Sequence, residues 1–490
     1  MAMQRCVLFD FDDTLANTAS LREIRDTQQY DQLTPEKLAP IKLYKPVAMV
    51  LSALKDQGVA MGIVTNSGSM YVEKLLEHLG IKHFFSTVVT YGDVKAQGMK
   101  PSPAGIRLAL ERIGVEATTE VLFVGDTNLD FEAAYQAGVT PVLPSWASKE
   151  STSVAPAIEM SSTMLCDHFS SPKEYRLFAE RCAELGTANF ARQAVYFLPL
   201  DENANVVTME DRITTLCFGR YFGQKSAVSA ILHDAHALSK EIIKKEAGPI
   251  YEIPKYWFEL LAHIVCRGWE SVYAGGKPFD VVTVVPGKAG KDPRLERLLL
   301  GVEKITLGMG SGAKFIPNVF EYAADARSQK TLQRMERHRE ANRSLGITEA
   351  GVALLRNARV LVIDDVITTG ATLQRARELA IEAGALSVLG AALAKTVSIA
   401  AQERGCVECG RSMFVKKNGT TGERFWSCMG FSDNLCNHTE PFYVKTCPRC
   451  GRNMRVRTNS HTKEKFWGCS GYGATPQCNF STDFDPLESL

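Results

Sequence analysis

Four apolar residues, Cys6 to Phe9, run straight into Asp10-Phe11-Asp12-Asp13-Thr14-Leu15, and this junction restricts the fold more than any other stretch of the chain. A short apolar run that ends in acids reads as a strand buried on both faces, delivering carboxylates to the carboxyl edge of a parallel sheet. The same rhythm continues to about residue 144. Runs rich in β-formers at Val7 to Phe9, Ala60 to Thr65, Thr87 to Thr90 and Val121 to Val124 alternate with helical stretches, which predicts a sheet with crossover helices.

At 490 residues the chain has room for roughly three or four domains. Its 45% hydrophobic and 23% charged content and its net charge of +1 are those of a soluble globular protein without an acidic or basic tail, so any nucleic-acid affinity must be local. The N-terminus enters the first strand directly, leaving no room for a signal peptide, and no apolar run reaches about 18 residues. A cytoplasmic location without membrane contact is the expectation. Ser145 to Ser171 is rich in Ser, Thr, Ala and Pro and reads as a linker, and the spacing from Pro172 to Leu185 predicts a helix. A second α/β pattern spans about 190 to 402, with apolar runs at Val281 to Val285, Val360 to Ile363 and Val388 to Ala394. Ala323 to Arg343, dense in charge, reads as helix or loop. The tail holds a repeat: Cys406, Cys409, Phe425, Trp426 and Cys428 recur 41 positions later as Cys447, Cys450, Phe466, Trp467 and Cys469. The expected units are 1–145, a linker and helix over 146–189, 190–402, 403–441 and 442–484.

Acids and their partners then follow in a telling order: Asp10 and Asp12, Thr65-Asn66, Lys100 before Pro101, and Gly125-Asp126-Thr127-Asn128-Leu129-Asp130. Over the first ~145 residues this series resembles the haloacid dehalogenase superfamily of aspartyl phosphotransferases. The resemblance implies Asp10 as nucleophile, Asp12 as general acid and base, Thr65 as a phosphate contact, Lys100 as the cation, and Mg²⁺ held among Asp10, Asp12, Asp126 and Asp130. The chemistry agrees, because a carboxylate attacks phosphorus only when cations neutralise the phosphoryl oxygens. Asp13 stands where the superfamily more usually has glycine. Cap domains of this superfamily are inserted after the first motif or between the second and third; here only about 50 residues separate Thr14 from Thr65 and about 35 separate Thr65 from Lys100. An open site suited to a macromolecular phosphate is implied.

A second phosphate signature occupies Val360 to Thr372. Four apolar residues lead to Asp364-Asp365, two more apolar residues follow, and then Thr368-Thr369-Gly370-Ala371-Thr372. Two carboxylates at a strand end could meet ribose hydroxyls, and a glycine-containing loop at the head of a helix could bind a 5′-phosphate. The pattern resembles the phosphoribosyl pyrophosphate (PRPP) loop of type I phosphoribosyltransferases. With Gln329 to Asn342 it most resembles the competence-associated ComF family over roughly 280–400. Val285-Pro286-Gly287-Lys288 is a candidate pyrophosphate loop, with Lys288 as its cation and Mg²⁺ as the expected metal; an ordinary turn is the alternative. His233 and His236, three apart, read as ordinary helix residues rather than ligands.

The tail places Cys406, Cys409, Cys428 and Cys436 in one set and Cys447, Cys450, Cys469 and Cys478 in another, each opening with a C-x-x-C knuckle that suits structural Zn²⁺. The two modules resemble the zinc ribbons of bacterial type IA topoisomerases. From 403 to 480 there are twelve Lys/Arg against six Asp/Glu, and Phe425, Trp426, Phe466 and Trp467 lie among them, which predicts a stacking platform for single-stranded nucleic acid. Packing of the ribbons, or binding of protein, is the alternative. The chain thus reads as two Rossmann-like parallel-sheet α/β domains followed by two small β-type zinc ribbons. The expected function is Mg²⁺-dependent phosphate-ester hydrolysis on a nucleotide or nucleic-acid end, coupled to a phosphoribosyl-binding domain. The alternatives are a nucleotide-metabolism phosphoribosyltransferase whose product the first domain dephosphorylates, or a PRPP-regulated nucleic-acid sensor. Neither the base nor the choice of DNA over RNA is legible, nor is the oligomeric state.

Overall fold

The computed structural model describes residues 5–489 except 148–150, 172, 191–193, 247–250, 269–277, 288–289, 291, 324–333, 400–403 and 432–433. Its first sheet comprises β1 (Cys6–Phe9), β2 (Ala60–Val64), β3 (Thr87–Val89), β4 (Leu122–Val124), β5 (Thr140–Pro144) and β6 (Ile158–Met160), in the order β3-β2-β1-β4-β5-β6, all parallel. β1 is buried along its whole length between its two neighbours. This is why four consecutive apolar residues suit it: apolar cores lie on both faces of the sheet, with Val7 and Phe9 in one and Cys6 and Leu8 in the other.

β6 corrects the boundary expected at 145. The Ser- and Thr-rich stretch is not a free linker, because Ile158 and Met160 supply the sixth strand and Thr152 pairs with Val206 of the following unit. The helix expected from Pro172 begins only at Phe178 and ends at Leu185. Leu177 is held in a bridge with Tyr196, and the Phe178 amide donates to the Tyr196 carbonyl, which keeps Leu177 outside the helix; Pro172 lies outside the described residues.

The second sheet holds β7 (Leu198–Leu200), β8 (Thr215–Cys217), β9 (Arg220–Phe222), β10 (Val281–Val284), β11 (Lys314–Phe315), β14 (Arg359–Ile367) and β15 (Ser387–Val397). Its order is β11-β10-β14-β15-β8-β7, with β9 also paired to β15; β7 alone runs antiparallel. Between β11 and β14, β12 (Phe320–Tyr322) and β13 (Leu345–Ile347) form a separate antiparallel pair; the charge-dense stretch is a helix over Arg334–Ser344, and its residues 324–333 lie outside the described ones.

Each cysteine module is a three-stranded antiparallel sheet, built from β16 (Met413–Lys417), β17 (Arg424–Cys428) and β18 (Thr439–Pro441), and from β19 (Met454–Thr458), β20 (Lys465–Cys469) and β21 (Ser481–Asp483). The first leans on helix Ala227–Ala235, where Arg424 Nε and Nη2 meet Asp234 at 2.8 and 2.7 Å. The chain end returns to the first domain, with Arg107 donating to the carbonyls of Gln136 and Leu487. Tyr135, on the helix Asn128–Ala137, receives a hydrogen bond from Arg220, whose guanidinium is paired with buried Glu180. No helix among the described residues is long and apolar enough to cross a membrane.

Candidate active site and metal centres

Parallel pairing in register brings the carboxyl ends of β1, β2 and β4 to one edge, so Asp10, Thr65 and Asp126 arrive together although they are far apart in sequence. Asp10 extends the ladder by donating its amide to the Val124 carbonyl at 2.8 Å, and Thr65 does the same to Val89 at 3.0 Å. Lys100 reaches in from the loop ahead of helix Ala104–Ile113. Its Nζ lies 2.5 Å from Asp10 Oδ1 and 2.5 Å from Asp130 Oδ1, and all three residues are buried. Asn66 fixes the Lys100 backbone from both sides, accepting from its amide at 2.8 Å and donating to its carbonyl at 3.1 Å. Asp130 caps its own helix through the Thr127 amide and hydroxyl, so one carboxylate both starts a helix and anchors the cation. Gly125 is required here, because a Cβ would sit 2.6 Å from that of Asp130.

Carboxyl oxygens of Asp10, Asp126 and Asp130 all lie within 4.8 Å of one another. Burial pushes Asp10 up to about 7; Lys100 opposes this, while Asp130 and Asp12 add to it. Burial, with Asp130 and Asp10, also lifts Asp126 well above the ordinary carboxyl range, despite a 2.8 Å hydrogen bond from Thr14 Oγ1. Three acids facing one lysine leave negative charge unbalanced. Hard oxygen donors in that arrangement fit Mg²⁺.

Asp12 departs from the expectation of a metal ligand. Its Oδ1 accepts from Thr18 Oγ1 and Tyr71 Oη, both at 2.8 Å, with Arg25 Nη1 at 3.3 Å, and its Oδ2 accepts from Ser67 Oγ at 2.5 Å. Both oxygens are committed outside the three-acid group, so its carboxylate does not join that group. Ser67, Tyr71, Arg25, Thr18 and Thr14 were not singled out from the sequence; only Ser67, two positions past Thr65, carried a signal. Asp13 has φ of +56°, the left-handed region that glycine occupies without strain, and its side chain accepts from the Thr18 amide at 3.0 Å. That explains how an acid replaces glycine here. The stretch from Ala19 to Leu38 forms only short helical turns, one of which sets the Tyr30 hydroxyl against Gly68.

In the second sheet, β14 carries Asp364 and Asp365 near its carboxyl end, between β10 and β15. Thr368 and Thr369 follow, with Thr368 Oγ1 3.1 Å from Thr396 Oγ1. Gly370 adopts φ of +73° and immediately precedes helix Ala371–Glu382, and a side chain there would meet Ala204. Thr372, in the first turn, bonds Tyr322. Burial, and then neighbouring Asp365, raises Asp364 to about 7. Burial works against ionised Asp365, the more deeply buried of the two, but Lys245 and Arg294 outweigh it and hold the carboxyl well below its ordinary range. Gly287 follows β10 as expected, its amide donating to Glu296 at 2.7 Å; Lys288 lies outside the described residues. His233 is buried and bonded to the Phe222 carbonyl and Gln224, as befits a packed helix residue.

Both cysteine sets assemble. Cys406 and Cys436 sulfurs stand 3.7 Å apart and Cys409 and Cys428 3.4 Å; the second set repeats this with Cys447 and Cys478 at 3.7 Å and Cys450 and Cys469 at 3.4 Å. Tetrahedral zinc with bonds of about 2.3 Å sets sulfurs about 3.8 Å apart, so either set can hold one ion. The stacking platform needs correction. Trp426 and Trp467 are 3% and 1% exposed and form the ribbon cores, which removes their faces from any ligand. The exposed aromatics are Phe431 and Tyr472, themselves 41 positions apart.

The order of this sheet sets an acid at the end of its central strand, and a lysine bridges that acid to a second one. Residues 20–143 match the family model described as haloacid dehalogenase-like hydrolase, and the N-terminal unit is such a domain. That match begins after Asp10, whose place rests on the geometry above. Phosphoglycolate phosphatase of Escherichia coli K12 is 42% identical over 100 residues, which cover 20% of this chain and 38% of that protein. Phosphoglycolate phosphatase of Pectobacterium atrosepticum is 41% identical over 100 residues, covering 20% and 42%. The aligned stretch therefore spans about two fifths of these relatives' length. A HAD-superfamily hydrolase structure from Geobacter sulfurreducens overlaps 34% of this chain and 99% of its own at 21% identity and a TM-score of 0.28, a likeness on which nothing below depends.

Proposed function

We propose that this chain hydrolyses a phosphate monoester on a nucleotide or nucleic-acid end through an aspartyl-phosphate at Asp10. The observation that carries this reading is the buried group of Asp10, Asp126 and Asp130 around Lys100. Magnesium, held by Asp10, Asp126 and Asp130, would draw charge from the phosphoryl oxygens. An Asp10 oxygen attacks phosphorus and the ester P–O bond breaks, with Asp12 giving a proton to the departing oxygen. Asp12 then takes a proton from water, which attacks the phosphoaspartate and frees inorganic phosphate and Asp10. Thr65 and Lys100 bind the phosphoryl group, and Asn66 positions Lys100. The short helical turns between Ala19 and Leu38 favour an open mouth and a large substrate. Similarity to phosphoglycolate phosphatases favours a small phosphorylated acid as the second reading. Phosphate release from 5′- and 3′-phosphorylated oligonucleotides, mononucleotides and 2-phosphoglycolate separates the two; release from none of them, with Mg²⁺ present, defeats both.

The second domain, in this reading, binds a phosphoribosyl group at Asp364, Asp365 and the loop Thr368 to Thr372, and the ribbons hold zinc and contact single-stranded nucleic acid. Support for the latter comes from the repeat. Lys416 Nζ lies 4.4 Å from the Phe431 ring centre, and Arg457, its counterpart 41 positions on, lies 5.7 Å from that of Tyr472. An exposed ring beside a cation, twice at equivalent places, suits base stacking worth about 1–3 kcal/mol per base. Phe431→Ser with Tyr472→Ser should weaken binding to single strands at unchanged zinc content. Unchanged affinity would count against the contact.

A further inference from the structure

Lys245 and Arg294 come from different elements, the first from the turn after helix Ala237–Ile243 and the second from the start of helix Arg294–Leu307, yet both converge on Asp365 Oδ2. The distances are 3.1 Å from Lys245 Nζ and 2.7 Å from Arg294 Nε. Asp365 Oδ1 is taken as well, accepting the Val366 amide at 2.8 Å, and Asp364 Oδ1 accepts the Asp365 amide at 2.8 Å. A divalent ion needs several free oxygen donors and repels neighbouring cations. Here three of four carboxyl oxygens are engaged and two positive side chains already occupy the place. Among the described residues, no third Asp, Glu, His or Cys joins the Asp364-Asp365 pair in a cluster like that of Asp10, Asp126 and Asp130. The Mg²⁺ expected there from the sequence does not fit.

We propose that Lys245 and Arg294 form a cationic anchor for the 1-diphosphate of a phosphoribosyl diphosphate, taking the place of a divalent metal at the Asp364-Asp365 edge. The inference rests on the phosphoribosyl reading above. The two cations meet on one carboxylate oxygen, three residues before the phosphate loop begins at Thr368. Among the described residues, Arg294 is bonded through Nε, and its two terminal nitrogens form a planar fork, while Lys245 has further N–H donors. The Arg294 side chain is 32% exposed, so a ligand can reach it. The anchor would select PRPP over ribose 5-phosphate, which has no anionic group at C1.

The test is calorimetric titration of the zinc-loaded full-length protein with PRPP and with ribose 5-phosphate, each with Mg²⁺ and in chelator-free buffer from which Mg²⁺ is omitted. Wild type should bind PRPP without Mg²⁺ within about threefold of its affinity with Mg²⁺. Arg294→Met and Lys245→Met, each leaving Asp365 one cation, should each lose about tenfold or more for PRPP and less than about threefold for ribose 5-phosphate. Circular dichroism and retained ribose 5-phosphate binding certify the variants' fold. Loss of PRPP binding when Mg²⁺ is omitted, or equal losses for both ligands in the variants, would overturn the anchor and leave the phosphoribosyl reading standing. If wild type binds neither ligand in either buffer, the phosphoribosyl reading falls and the anchor falls with it.

Discussion

Replacing Asp10 by asparagine should stabilise the metal-free protein at alkaline pH while removing catalysis. In the folded chain, burial raises the Asp10 carboxyl from its ordinary 3.8 to about 7, against the pull of Lys100. That rise corresponds to about 4 kcal/mol at 1.36 kcal/mol per pH unit. Because the folded pKa exceeds the unfolded one, the folded state holds more protons between the two values, and stability falls as pH climbs from about 4 to about 7. Above that window the ionised group costs the whole ~4 kcal/mol; below it the cost vanishes. Asparagine is uncharged throughout, so its advantage should open across the same interval and approach a gain on the order of 10 °C in the melting of the first domain at pH 8. Magnesium should shrink the gap, since it offsets the charge in wild type alone. Scanning calorimetry of both proteins at pH 4.5 and pH 8, in EDTA and in Mg²⁺, reads this directly. An asparagine variant no more stable than wild type at pH 8 in EDTA, or equally favoured at pH 4.5, would refute the electrostatic argument.

Other consequences concern the frame around the sites. Glu180→Gln should cost about 2–3 kcal/mol at pH 7, because half-buried Arg220 loses the charged partner that accepts its hydrogen bonds. Burial works against ionised Glu180, but Arg220 and His236 outweigh it and hold the carboxyl below its ordinary range. Its stabilisation is therefore full above about pH 4.5 and fades as the solution is acidified, and urea titrations at pH 7 and about pH 3 should show the deficit shrinking. Asp13→Gly should change stability by less than about 1 kcal/mol, since relief at φ of +56° is offset by loss of the hydrogen bond from the Thr18 amide. A larger destabilisation in denaturant would mean that the Asp13 side chain does more than close its turn. Chelation of zinc should unfold both ribbons while leaving the first domain's melting unchanged, because segments this small lack a core that folds without metal; ribbons that stay folded without zinc would contradict this.

Strand-end acids were legible because a buried central strand needs consecutive apolar residues, so Cys6 to Phe9 and Leu122 to Val124 announce where Asp10 and Asp126 emerge. Sequence order alone also marked Thr65, Lys100 and the cysteine sets. What escaped depends on packing between segments far apart in the chain. Tyr71 and Arg25 reach Asp12 from two different helices, and no spacing rule joins them to it. β6 hides in a polar stretch because an edge strand of three residues needs few apolar side chains. Trp426 and Trp467 sit among cations in sequence but point inward, since alternation along a strand sends neighbours to opposite faces and Phe425 and Phe466 take the other one. The cations on Asp365 could not be foreseen, as Lys245 lies 120 positions away from it.

The transient ester at Asp10 can be sought directly. Full-length protein is mixed with Mg²⁺ and a phosphorylated oligonucleotide, quenched in acid within one turnover, reduced with borohydride, and digested for mass spectrometry. An aspartyl-phosphate is reduced to homoserine, and the account predicts that conversion at position 10 and nowhere else, absent without substrate. Phosphate released with no modification at position 10, or with homoserine at another acid, would contradict it.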